Sequence, residues 1–197
     1  MEFAVLGWPD DGPTLDLDHR RFAYAGKFVM STTGKAVARE RDDDRPGDGE
    51  VVAAVAFDAD RTDPDVLRLR YVTVRDGRRG EGTGPRLCAF VARRGRDRGF
   101  DRARIAVNNP FAYEALYKAG FGYAGERTGL AELVLERPSD RDPAAYREGM
   151  SRYADRDLDA TARAFVNERA DGDPPPPIEG ADAGADAGED REPDAGA

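Results

Sequence analysis

The sequence predicts an α/β domain, and three observations carry that prediction. First, residues 67–100 read as strand, glycine loop and helix. Leu67, Leu69 and Tyr71 alternate with Arg68, Arg70 and Val72, then Gly80, Gly82 and Gly84 fall at every second position. Beyond them Gly84, Leu87, Cys88, Val91, Ala92 and Gly95 share one helical face, with Arg86, Arg93, Arg94 and Arg96 off it. Second, residues 102–121 repeat the order of strand then helix. Arg102 to Asn108 alternates as a strand, Asn109 is placed to cap a helix with Pro110 at its first position, and Gly120 can end it with Phe121 packing back. Third, short apolar segments flank these units in pairs: Gly34 to Arg39 with Glu50 to Phe57, and Tyr123 to Arg127 with Leu130 to Glu136 around Thr128-Gly129.

The remaining segments fill in around this frame. Glu2 to Trp8 is a short apolar strand closed by the turn signal Pro9 to Pro13. Asp18 to Val29 fits two periods: Phe22, Gly26 and Val29 would share a helical face capped by Asp18, while Phe22, Tyr24 and Phe28 would serve a strand. Residues 42–49 form a polar loop expected to be mobile, and Asp58 to Pro64 is another turn. Pro138 is expected to close the core. Asp142 to Arg169 reads as one or two helices, with Ala160, Ala164, Phe165 and Glu168 at helical spacing on a thin face that would pack on the domain or on a second copy in a homodimer. Pro174 to Pro177 is a polyproline spacer, and the Ala/Asp/Gly/Glu residues after it are too polar to fold. The expected organisation is therefore a domain over 1–137, a helical extension over 138–170 and a disordered acidic tail over 171–197.

A strand, a glycine loop and a helix start together suit a phosphate. Glycine lets the backbone approach a ligand, and the first helical N–H groups carry the positive end of the helix dipole. Two loops of this kind do not fit. A Walker loop fails because Thr33-Gly34-Lys35 has Val29 in place of its first glycine and Ala36 after the lysine. A dinucleotide fingerprint fails because Pro85 stands where the third glycine of Gly80-Glu81-Gly82 should fall.

Val74, then Arg79 five residues later, then Gly80-Glu81-Gly82-Thr83-Gly84, resembles the acetyl-CoA loop of the GNAT acyltransferase superfamily, with Thr83 in place of the usual aliphatic residue. The downstream run Asn109, Ala112, Leu116-Tyr117 and Gly120-Phe121 resembles the second motif of that superfamily, in the right order. The resemblance implies a mixed, mostly antiparallel sheet flanked by helices, with a C-terminal helical extension added here. It implies a gap between two parallel strands that admits a pantetheine arm. It further implies acetyl-CoA as co-substrate, bound through Val72, Val74, Arg79, Gly80, Glu81, Gly82, Thr83, Gly84 and Asn109, and an amine acceptor, small molecule or peptide. A helix tyrosine commonly protonates the departing thiolate in this superfamily, which points to Tyr117. The usual spacing counts seven residues from Asn109, however, and reaches Leu116; one residue turns a helix side chain by about 100°. Tyr113 and Tyr117, at i and i+4, serve equally as packing residues.

Composition narrows the rest. The 197 residues carry a net charge of −9, and the stretch from Asp171 onward holds nine acids against Arg191 alone, so the remainder is close to neutral. Between Arg68 and Arg104 twelve arginines face only Asp76, Glu81, Asp97 and Asp101, a basic excess suited to the phosphates of coenzyme A. It lacks the aromatic interleaving of a nucleic-acid surface, and the acidic tail would repel a polyanion, so a nucleic-acid partner is not expected. Lysine appears only at 27, 35 and 118, and an acidic, lysine-poor chain resembles proteins of salt-loving, haloarchaeal-type microbes. No apolar run is long enough to span a membrane and Met1 to Pro13 is no signal peptide, so a cytoplasmic location is expected. Cys88, the single cysteine, cannot form an internal disulfide or a cysteine-built metal site, and on the apolar helix face it reads as packing. His19, in a polar Asp-His-Arg-Arg run, reads as exposed. Tyr71, Glu50 and Asp58 are the other groups that could deprotonate an amine through water.

Overall fold

The computed structural model describes residues 1–41, 47–129 and 132–178. The loop expected to be mobile falls largely in 42–46, and most of the expected acidic tail falls in 179–197, both outside the described residues. Seven strands form one sheet in the order β1-β2-β3-β4-β5-β7-β6. They are β1 (Glu2–Gly7), β2 (Gly34–Arg39), β3 (Val51–Ala59), β4 (Val66–Val74), β5 (Arg102–Val107), β6 (Gly122–Thr128) and β7 (Glu132–Arg137). Four helices complete the fold: α1 (Thr83–Asp97), α2 (Pro110–Lys118), α3 (Pro143–Ala154) and α4 (Ala160–Arg169). Every neighbouring pair is antiparallel except β4 and β5, which run parallel. The mixed, mostly antiparallel sheet is the one the resemblance implies.

Both faces of the central strands are buried, which is why β3 reads as an unbroken apolar run. Ala53, Val55 and Phe57 face the helices, whereas Ala54 and Ala56 face Leu17, Phe22, Ala25 and Phe28. The segment that supplies those four residues is neither the helix nor the strand that its two periods allow. It is irregular, with a single short 3-10 turn at Ala25–Lys27. Asp18 starts a turn rather than a helix, its carboxylate accepting from Arg20 N–H at 2.9 Å.

The helix ends follow their sequence signals. Asn109 Oδ1 accepts from Ala112 N–H at 2.8 Å at the start of α2. At the other end Gly120 sits at φ +84°, Phe121 N–H reaches Leu116 O at 3.0 Å and Gly120 N–H reaches Tyr117 O at 3.0 Å, the paired bonds of a Schellman ending.

The core does not stop at Pro138. Tyr146, Met150 and Tyr153 of α3 and Val166 of α4 lie in the same buried cluster as Leu87, Val91 and Leu135. The packing face of α4 is made by Ala162 and Val166; Ala160, Ala164 and Glu168, expected on that face, are exposed.

Candidate active site

The site begins with a mismatch in strand pairing. Parallel pairing of β4 with β5 runs from Val66 opposite Arg102 to Leu69 opposite Ile105 and then ends. Beyond it β4 stays paired to β3, with Val72 opposite Val55 and Val74 opposite Ala53, while β5 stays paired to β7 as far as Val107 opposite Leu133. The register of β4 against β3 slips at Arg70, which has no partner between Leu69 and Tyr71. An extra residue bends the strand that carries it, and here β4 leaves β5 at that point. The opened edge lies in a cleft of about 950 Å³.

At the upper end of the cleft lies the glycine loop. Gly80 and Gly82 have φ of +89° and +78°, a region that favours glycine, and a Cβ at either would enter open space. Gly82 is the N-cap of α1, and it gives no side-chain cap to the first N–H groups, nor does any acidic residue occupy the first turn. Gly84 is small for another reason, since a Cβ there would stand 3.1 Å from Val74 Cγ2. Two arginines moor the loop. Arg75, 8% exposed, is paired with Glu40 at 3.2 Å and with Glu50. Arg78 is paired with Glu40 and, at 2.9 Å, with Glu81. Arg79 is left on the rim, its side chain 61% exposed and held, among the described residues, by Asp76 at 2.6 Å.

Among the residues singled out from the sequence, Val72, Val74, Arg79, Gly80, Gly82, Thr83, Gly84 and Asn109 all line this one cleft. The Glu81 side chain does not; it turns outward to Arg78. Nor does Tyr117. Its ring is fully buried among Tyr113, at 5.0 Å between centroids, and Tyr146, at 4.7 Å. Its hydroxyl accepts from Tyr123 N–H at 2.9 Å, and burial raises its pKa above the ordinary tyrosine range, making it a weaker acid. Leu116 faces the cleft instead, as the one-residue offset in spacing allows.

Several wall residues carry no motif. Phe111 and Phe165 pack at 4.6 Å between centroids across α2 and α4. Beside them Glu114, 6% exposed, holds Lys118 at 2.8 Å and Arg169. An isolated buried acid on a predicted helix is the only sequence signal that could have pointed to this network. On the opposite wall Tyr71 and Tyr24 pack at 6.1 Å, with Lys27 Nζ 5.7 Å from the Tyr71 ring. Thr73 is 4% exposed and its hydroxyl is an orphaned polar atom in the cleft wall.

The other candidate bases are tied up or remote. Asp58 is gripped by Arg70 through two hydrogen bonds of 2.6 and 3.0 Å. Glu50 is held by Arg75 and Arg21, whose hydrogen bonds keep it below the usual carboxylate range. His19 is exposed and lies outside the cleft. Cys88 lines the cleft but is buried, and burial pushes its thiol up to about 12, so it stands as a neutral packing group.

A cleft opened between parallel strands and headed by a glycine loop is the arrangement implied by the sequence motifs, and residues 8–123 match the sequence model of the Acetyltransferase (GNAT) family. The chain belongs to the GNAT acetyltransferase family. No protein with a curated description matches it. Solved structures similar to this GNAT chain include the PaiA N-acetyltransferase of Thermoplasma acidophilum in complex with coenzyme A, at 15% identity and a TM-score of 0.41, covering 52% of this chain and 58% of that one. An acetyltransferase of Bacillus subtilis in complex with coenzyme A is 15% identical, with a TM-score of 0.42 and coverage of 53% and 75%. A GCN5-related N-acetyltransferase from Kribbella flavida is 24% identical, with a TM-score of 0.43 and coverage of 54% and 68%. Among the described residues no helix is long and apolar enough to cross a membrane, and no group of His, Cys, Asp and Glu could hold a metal ion.

Proposed function

We propose that this GNAT chain transfers an acetyl group from acetyl-CoA directly to the amine of a small molecule or peptide. The observation that carries the reading is the end of β4–β5 pairing at Leu69 and Ile105, inside a cleft headed by Gly80 to Gly84. The freed β4 edge at Val72 and Val74 offers backbone groups that pantetheine amides can pair as an added strand would. The N–H groups from Gly80 to Gly84, with Arg79 at the rim, suit a diphosphate. Asn109 serves the site by fixing the start of α2 beside the cleft rather than by offering its capped oxygen.

Tyr117 is here a structural residue, and the thiolate takes its proton from another source. The attacking amine must lose a proton after it bonds to the thioester carbon, and the departing sulfur must gain one as the C–S bond breaks. A water between the two can carry it. Tyr71 and Tyr24 both border the cleft, and we assign Tyr71, which stands on β4 itself, the positioning of that water. Backbone N–H groups near Val74 would stabilise the oxyanion.

Domain organisation follows the same logic. Residues 1–170 act as one folded unit, since α3 and α4 share its core. Thiol release from acetyl-CoA, measured against a panel of amines at high salt, tests the activity. Turnover on at least one amine supports it. The burial of Tyr117 behind Leu116 favours one other reading, a non-catalytic acyl-CoA-binding module; coenzyme binding without turnover on any amine would establish that instead.

A further inference from the structure

A second pocket, of about 430 Å³, lies away from the cleft, where the last turns of α1 meet the start of β5 and the end of β7. Its charged wall is lopsided. Arg93, Arg96, Arg102, Arg137 and Arg141 line it, with Asp101 as the single acid among the described residues. Guanidinium groups brought together in a concave space repel one another and concentrate positive potential. Arg102 is already paired with Asp63 and Arg137 is partnered, so the charge left for an anion in this wall is that of Arg93, Arg96 and Arg141.

Three of the five are held in place by neighbours. Arg137 Nη1 donates to Ala119 O at 2.8 Å, at the carbonyl end of α2. Gly120 lets that side chain lie close, because a Cβ there would stand 3.4 Å from the guanidinium carbon. Arg102 is fixed by Asp63 at 3.0 Å. Arg141 donates to Pro175 O and lies over the Tyr117 ring, 5.9 Å from its centroid. Its Nε is nonetheless buried without a hydrogen-bond partner. Arg93 and Arg96 reach in from α1, and Arg96 makes no ion pair among the described residues. A buried unpaired donor costs stability, and here it stands in a wall of paired-donor forks suited to phosphate oxygens.

We propose that this pocket binds a small polyvalent oxyanion, the phosphate end of a phosphorylated metabolite, at a site separate from the acetyl-transfer cleft. The inference does not rest on the proposed acetyl transfer. Pyrophosphate is the probe, titrated calorimetrically at low salt into the full chain and three variants. Arg93→Ala/Arg96→Ala removes two pocket arms. Arg94→Ala/Arg98→Ala removes the same charge from α1 and its C-cap outside the pocket, at residues that pack over Phe90 and Trp8. Arg79→Ala weakens the glycine-loop site. Wild type and the last two variants are expected to keep a pyrophosphate site that Arg93→Ala/Arg96→Ala weakens at least tenfold, with its melting temperature unchanged. No binding to wild type, or equal losses in the two double variants, or loss only in Arg79→Ala, would overturn the proposal.

Discussion

The hydroxyl of Tyr117 accepts a hydrogen bond from the backbone N–H of Tyr123 at 2.9 Å, joining α2 to the start of β6. Tyr113, one turn earlier, reaches that hydroxyl at 3.4 Å and the carbonyl of Tyr146 at 3.1 Å, joining α2 to α3 as well. These bonds spend the hydroxyl on structure. Tyr117→Phe should therefore lower stability by about 1–3 kcal/mol, the cost of stranding a buried N–H, and leave kcat for acetyl transfer within about threefold. A fall in kcat of a hundredfold or more, with the fold intact by circular dichroism, would return the proton-donor role to Tyr117.

Arg79 and Gly82 test the phosphate end of the cleft separately from its chemistry. Arg79 is exposed and, among the described residues, paired only with Asp76, so Arg79→Ala should hardly change stability. It should weaken coenzyme A binding about tenfold, the worth of one charge-assisted hydrogen bond. Gly82→Val forces a β-branched residue to φ +78° and puts a side chain into the space before the α1 N-terminus. Calorimetry should find its coenzyme A affinity reduced further than that of Arg79→Ala. Wild-type affinity in both variants would remove the glycine loop from the binding site.

The contact of Gly149 with Tyr113 locks α3 onto α2. A Cβ at Gly149 would stand 2.1 Å from Tyr113 Oη, and Tyr113 is fully buried. Gly149→Ala must displace that ring, so it should destabilise by about 1–3 kcal/mol despite the better helix propensity of alanine. Urea unfolding should show a lower midpoint in one transition, because α3 shares the core of the sheet. An unchanged or raised midpoint would mean that α3 does not hold the position described.

What could be read from the chain beforehand was what is written locally. Gly80, Gly82 and Gly84 announce a loop, and Asn109-Pro110 with Gly120-Phe121 announce both ends of α2, because caps and positive φ depend on single residues. The splay of β4 from β5 is implied by resemblance alone, since it arises from a slipped register at Arg70 that no property of an arginine betrays. Residues 18–29 carry two competing periods and adopt neither, because burying Phe22 and Phe28 against β2 and β3 decides their path. The role of α3 and α4 was hidden for a similar reason. Tyrosines supply much of the buried face of α3, and a tyrosine counts as half polar in any apolar pattern, while α4 buries only Ala162 and Val166.

Those tyrosines also set an alkaline limit on stability. Burial is the main cause that pushes Tyr113, Tyr117, Tyr123, Tyr146 and Tyr153 above the usual tyrosine range, Tyr146 to about 12. An unfolded chain ionises these groups near 10, while the folded chain keeps them protonated. Between those values the folded state binds more protons than the unfolded, so stability falls as pH rises. The contribution is complete below about pH 10 and is lost through the folded values, about 12 for Tyr146. Denaturant midpoints should therefore drop steadily over that window, and tyrosinate absorbance should rise together with the loss of folded signal. Tyr146→Phe removes one titrating group and should flatten the slope. A slope unchanged from wild type, or ionisation of the buried rings while the fold persists, would contradict the tight packing of this cluster.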